Sequence, residues 1–124
     1  MFVIDIVTMR FDPSRYLPLT PAMLQVLLAL ADGDKHGYAI LKEVARRTDG
    51  AVRLQTGTLY TAIRRFVTDG LVAETDERPD PALDDERRRY YRLTDRGRAV
   101  AVAETERLGE TVRQARAKLS LRRV

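Results

Sequence analysis

Hydroxyls and guanidiniums cluster at helical spacing between Gln55 and Gly70. Thr56, Thr58, Thr61, Arg64 and Arg65, with Tyr60 beside them, point away from an apolar stripe of Leu59, Ile63, Phe66 and Val67. Gln55 or Thr56 starts this helix and Gly70 stops it. Such a helix packs one face on a core and offers the other to a polyanion. The Thr56 and Thr58 hydroxyls, with the unpaired N–H groups of the first turn, suit a phosphate. Gly57 permits close backbone approach. Arg64 and Arg65 can pair with phosphates, or one can fork onto guanine O6 and N7. Tyr60 has two readings: a hydroxyl contact to phosphate or sugar, and a core tyrosine beside Leu59.

Other chemistries find little material. The chain of 124 residues has no cysteine and one histidine, His36. Disulfides, thiolate catalysis and a histidine-based metal cluster are therefore excluded. One histidine without a nearby nucleophile reads as a helix-start residue, so neither a catalytic residue nor a cofactor is expected. A net charge of +4 suits nucleic acid or an anionic surface without proving either. No apolar run approaches the roughly 20 residues that span a bilayer. The opening Met1–Val7 is short, broken by Asp5, and lacks the features of a secretory signal. A cytoplasmic protein without a membrane partner is expected.

The elements that must position this helix read in order as follows. Residues 1–19 form an N-terminal arm, either mobile or packed on a partner subunit. Thr20 caps and Pro21 opens a first helix with Met23, Val26, Leu27 and Leu30 on its apolar side, widened by Leu24 and Leu28. A second helix begins near His36, with Ile40, Leu41, Val44 and Ala45 inward and Lys42, Arg46 and Arg47 outward. After the arginine-bearing helix, Leu71–Thr75 and Arg88–Leu93 alternate as two strands of a hairpin. The prolines and acids between them make a solvated tip. Thr94 caps a last helix running to about Leu119. Its thin stripe of Ala101, Leu108, Val112, Ala115 and Leu119 suits a partner helix, or a fold back onto its own domain.

Three helices and a hairpin make a winged helix-turn-helix, mainly α with a small β-hairpin, whose third helix would enter a major groove. The residues add a resemblance. His36-Gly37-Tyr38-Ala39-Ile40, Gly57-Thr58-Leu59-Tyr60 followed by Arg64-Arg65-Phe66 and Gly70-Leu71-Val72, and Arg89-Tyr90-Tyr91-Arg92-Leu93-Thr94-Asp95-Arg96-Gly97 together resemble the PadR-like transcriptional regulators over residues 20–100. Gln55-Thr56 stands where that family usually has Ser-Pro, so Thr56 is expected to take over the cap. Phe66 replaces a larger aliphatic residue common in the family. The absence of tryptophan separates the chain from members that sandwich flat aromatic compounds between tryptophans.

The resemblance implies a homodimeric repressor of double-stranded DNA, in the short form with one C-terminal helix. The expected organisation is an arm at 1–19, a winged domain at 20–93 and a dimerisation helix at 94–124. Leu24 and Leu28 would join the last helix in the dimer. In the wing, alternation puts Arg87 and Arg89 on one face, facing DNA or neutralised by acids across the hairpin. Lys35, Lys42 and Arg53 are further phosphate candidates. A small aromatic or hydrophobic effector between the helices would release the DNA. The competing reading is a winged-helix adaptor that binds protein and not DNA.

Overall fold

The computed structural model describes residues 11–75 and 89–120. The first ten residues of the arm, the wing tip with its acids, Arg87, Arg88 and the last four residues lie outside that range. A 3-10 turn at Pro13–Tyr16 leads to α1 (Pro21–Ala29), β1 (Lys35–His36), α2 (Gly37–Arg47), α3 (Thr56–Thr68), β2 (Val72–Thr75), β3 (Tyr90–Leu93) and α4 (Asp95–Lys118). The expected helices are all present, and Thr20 caps α1 by accepting from the Met23 N–H at 3.1 Å.

The hairpin expected from the sequence is a three-stranded antiparallel sheet in the order β1-β3-β2. Lys35 and His36 pair with Tyr91 and Tyr90 on the far side of β3 from β2. Two residues are too few to show alternation. His36 also serves as the cap of α2, its Nδ1 accepting from the Ala39 N–H at 3.1 Å. One short stretch thus closes the sheet and starts the helix.

The core joins Leu19, Val26, Leu27, Leu30, Ile40, Val44, Leu59, Ile63, Phe66, Leu71, Val72, Tyr91 and Val100. Core residues therefore come from both sides of the boundary expected at residue 93. Val67 departs from the expected stripe of α3, with 38% of its surface exposed. It lies one residue beyond Phe66, and a 100° step along the helix carries it off the buried side. Gly70 ends α3 with φ +78. The Leu71 N–H reaches back to the Phe66 carbonyl at 2.8 Å and the Gly70 N–H to Val67 at 3.1 Å, the paired bonds of a Schellman terminus. That sharp stop sends the chain directly into β2.

The arm differs from expectation, and the start of the last helix follows the second reading given for it, a fold back onto its own domain. Phe11 stacks on Tyr16 with ring centroids 5.7 Å apart, and the Arg96 guanidinium lies 5.0 Å from the Phe11 ring. From Phe11 onward the arm therefore packs on its own chain. Ala101, expected in a dimer contact, is only 7% exposed and sits in the chain's own core. The first three turns of α4 fold back onto the winged domain because Gly97, Val100, Ala101 and Glu104 share one face. Among the described residues of α4, none beyond Glu104 is buried.

Candidate nucleic-acid interface

Helix α3 owes its position to Leu59, Ile63 and Phe66, which anchor one side in the core. Thr56, Gly57, Thr58, Thr61, Arg64 and Arg65 are all exposed on the rest of it. A Cβ added at Gly57 would meet nothing within 4 Å, so the backbone there is open to close approach. Arg64 Nη2 lies 3.4 Å from the Thr61 hydroxyl, a weak tie that leaves the guanidinium on the surface.

The cap of α3 falls one residue earlier than expected. Gln55 occupies the cap position and makes no side-chain cap bond, while Thr56 is the first helical residue. The Gln55 side chain is one methylene longer than asparagine, which suits it poorly to the short loop of an N-cap bond. The first-turn N–H groups are therefore left without a side-chain acceptor, beside the Thr56 and Thr58 hydroxyls.

Two recesses flank the helix. One, of about 590 Å³, lies between the starts of α1 and α3 and includes Thr20, Met23, Leu54, Thr58 and Arg65. The other, of about 580 Å³, lies between α3 and the sheet and includes Tyr38, Tyr60, Arg64, Glu74, Arg89 and Tyr91. Tyr60 is half-buried here, its ring and hydroxyl pressed against Gly37 so closely that a Cβ at that position would collide. It serves packing and still lines the recess, which joins both readings of the residue. Burial raises the Tyr91 phenol above its ordinary value.

The other candidates divide. Lys35 departs from expectation: Nζ donates to the Ala29 carbonyl and to Asp32 Oδ1, both at 2.6 Å, and lies 3.5 Å from Glu43. It ties the end of α1 to α2, and its ammonium is turned inward. Arg89 is exposed but paired with Glu74 at 2.9 Å. The acid opposing it is thus a strand residue. The register supplies the reason, because Glu74 pairs with Tyr91 and Arg89 is two residues before it on the same face. Tyr38 had no role in the sequence reading. It is exposed at the start of α2, with the Lys42 ammonium 5.3 Å from its ring centroid. An exposed tyrosine beside a lysine four residues on was the available signal. On α4, Leu108, Val112 and Leu119 are exposed and Ala115 is half-buried. Leu24 and Leu28 on α1 are also half-buried. Among the described residues no cluster of side chains could hold a metal ion.

Comparison with known proteins places this geometry. The family described as transcriptional regulator PadR-like matches residues 26–103. A transcriptional regulator from Mycobacterium tuberculosis is 33% identical over 91 residues, covering 73% of this chain and 78% of that protein. The crystal structure of a PadR family transcription regulator from Clostridium difficile superposes with a TM-score of 0.64 at 23% identity, over 78% of this chain and 96% of that one. The structure of Bacillus subtilis PadR in complex with operator DNA superposes with a TM-score of 0.55 at 17% identity, over 68% of this chain and 47% of that one. The family match covers more than half of the chain, and it fits the three helices, the small sheet and the recognition-helix motif, so this chain belongs to the PadR-like family of transcriptional regulators and is not an enzyme.

Proposed function

We propose that the chain is a sequence-specific repressor that binds a palindromic operator in double-stranded DNA as a homodimer. The observation that carries this reading is the outer face of α3, where Thr56, Gly57, Thr58, Thr61, Arg64 and Arg65 lie exposed with no acidic side chain among them. Arg64 and Arg65 supply the charge that neutralises phosphate and the fork that reads guanine. Arg89 extends the footprint along the wing strand, as Arg87 would. Tyr60 faces the same recess as Arg64 and Arg89. Bacillus subtilis PadR, a structural neighbour, is known in complex with operator DNA.

The dimer rests on the stripe of Leu108, Val112, Ala115 and Leu119, spaced by four, three and four residues, as in a helix-to-helix seam. Leu24 and Leu28 of α1 add to it. Such a dimer would set two copies of α3 roughly 34–36 Å apart, on successive major grooves. A small aromatic or hydrophobic effector fits the apolar hollow of about 190 Å³ between α1 and α4, lined by Leu28, Ala31, Leu93 and Val102. Cytoplasmic residence agrees with this role, and among the described residues no helix is long and apolar enough to cross a membrane.

Footprinting on the promoter region of the protein's own gene tests the reading. The expected result is a protected palindrome whose affinity steepens as salt falls. Arg64→Ala is expected to weaken binding by about 1–3 kcal/mol if the residue reads a base. Val112→Asp is expected to weaken both dimer and footprint. A protein that protects no sequence at any salt concentration would instead be an adaptor.

A further inference from the structure

Glu104 is a carboxylate that the DNA-binding scheme leaves without a role. It is buried, 1% exposed, on the inner face of α4. Its Oε2 accepts from the Leu19 N–H at 2.9 Å, across 85 residues of sequence. The Arg107 guanidinium, one turn further along α4, donates to the same oxygen at 3.0 Å and also to Oε1. A buried carboxylate is costly to desolvate unless it is paired and bonded in this way. A leucine at 104 would leave the buried Leu19 N–H without an acceptor, so the carboxylate holds that stretch of backbone in place.

The significance of that stretch follows from what Leu19 adjoins. The next residue, Thr20, is the cap of α1. Glu104 therefore ties α4 to the start of α1. Six residues earlier, Arg98 ties α4 to the other end of α1, donating to the Ala31 carbonyl at 2.8 Å. At the base of α4, the Thr94 hydroxyl donates to the Gly70 carbonyl at 2.7 Å, next to the terminus of α3. These three side-chain bonds add to the packing of Gly97, Val100 and Ala101 in holding α4 against α1 and α3, and Glu104 is the last of them before the helix leaves the domain.

We infer that Glu104 is a positioning residue for DNA recognition: by fixing the direction of α4 it sets the separation of the two α3 helices in the dimer. The inference rests on the dimer reading above. The projecting part of α4 is roughly 21 Å long at 1.5 Å per residue, so a tilt of about 10° moves its tip by about 4 Å, close to the 3.4 Å rise of one base pair. Arg98 and Thr94 act nearer the base, where they control tilt less.

The test measures that separation directly. Because the chain has no cysteine, Val67→Cys gives one spin label per chain on the exposed side of α3. Pulsed dipolar spectroscopy then reads the label-to-label distance within the full-length dimer. The Val67→Cys protein is expected to give one narrow distribution. Glu104→Gln keeps an acceptor for the Leu19 N–H and is expected to preserve its width. Glu104→Ala is expected to broaden it by about 4 Å, the displacement of that tilt, while sedimentation still shows a dimer. Arg107→Ala removes a half-exposed side chain and leaves the buried carboxylate in place but unaimed, and is expected to broaden the distribution partway. An unchanged width in Glu104→Ala, or equal broadening by Gln and Ala, overturns the inference. Should Glu104→Ala fail to fold, an unchanged width in Arg107→Ala overturns it. Absence of any interchain distance in the Val67→Cys protein itself removes the dimer reading instead, and the inference with it.

Discussion

Arg89 and Glu74 face each other across β3 and β2, with Nη1 of the arginine 2.9 Å from Oε1 of the glutamate. Both lie at the recess shared with Arg64 and Tyr60. In the proposed DNA complex Glu74 would therefore compete with a phosphate for the same guanidinium. Exposed pairs of this kind contribute about 0–1 kcal/mol to stability, so the pair is easily exchanged for a DNA contact.

Glu74→Gln is the variant that tests this exchange. It is expected to leave thermal stability nearly unchanged and to raise affinity for duplex DNA, because Arg89 no longer has to leave an anion. Arg89→Ala is expected to reduce the slope of log affinity against log salt by about 1, as for one lost phosphate contact. Fluorescence anisotropy over a salt series measures both. Equal affinity and slope in all three proteins would remove Arg89 from the interface.

Gln55 offers a second prediction. It stands at the cap of α3 without a side-chain bond, and Thr56 follows as the first helical residue. The Ser-Pro usual in the family would place serine at the cap and proline at that first position, where each is favoured. Gln55→Ser is therefore expected to stabilise the protein by about 0.5–1 kcal/mol, the usual gain from a good cap. Chemical denaturation checks it. A serine variant no more stable than the parent would show that the first turn is held by other contacts.

The same helix shows what sequence can and cannot carry. Leu59, Ile63 and Phe66 were legible because burial follows a 3.6-residue period. The cap residue was not, since Gln55 and Thr56 are adjacent and only backbone geometry distinguishes them. Thr20 and Thr94 were legible as caps because each is a good capping residue immediately before its helix. Lys35 misled because a lysine beside a helix start looks solvated, while its three partners come from α1, the following turn and α2. The fold-back of α4 was one of the two readings that its stripe allowed, and the stripe did not say how far it extends. Ala101 belongs to the same heptad-like series as Leu108 and Val112, yet the series leaves the core after Glu104. Nothing in the periodicity marks where one helix passes from its own core to open surface.

Gly97 provides a third prediction. A Cβ there would collide with the Leu71 carbonyl and lie 2.7 Å from Leu93 Cδ1. The Leu71 carbonyl is backbone and also accepts from the Thr94 N–H at 3.1 Å, so it cannot turn aside. Gly97→Ala is expected to destabilise the fold by about 1–3 kcal/mol through overpacking, despite alanine's better helix propensity. By contrast, Gly57→Ala meets open space and is expected to be neutral or stabilising while weakening DNA binding. Thermal melts of the two variants, read together, separate packing from contact. Destabilisation by both would contradict the open approach at Gly57.

The pH dependence of stability follows from Glu104. The Arg107 guanidinium holds this carboxylate below its ordinary value of 4.5, aided by the Leu19 N–H and opposed by burial. In the unfolded chain the group regains its ordinary affinity for protons. The unfolded state therefore binds the proton more tightly, and acid favours unfolding. The contribution is fully present above the ordinary glutamate value and is lost as pH falls through the lowered folded value. Glu104→Gln keeps an acceptor for Leu19 but has no charge to titrate. It is expected to be less stable than the parent at pH 7 by roughly 1 kcal/mol, the scale by which a hydrogen bond to a charged acceptor exceeds one to a neutral acceptor. Below the folded value the two proteins are expected to converge. Urea unfolding at a series of pH values measures the difference, and subtraction cancels the exposed carboxylates Asp12, Asp32 and Glu110, which are lowered in both proteins. A difference that stays constant from pH 7 into the acid range would mean that the variant acts through shape alone.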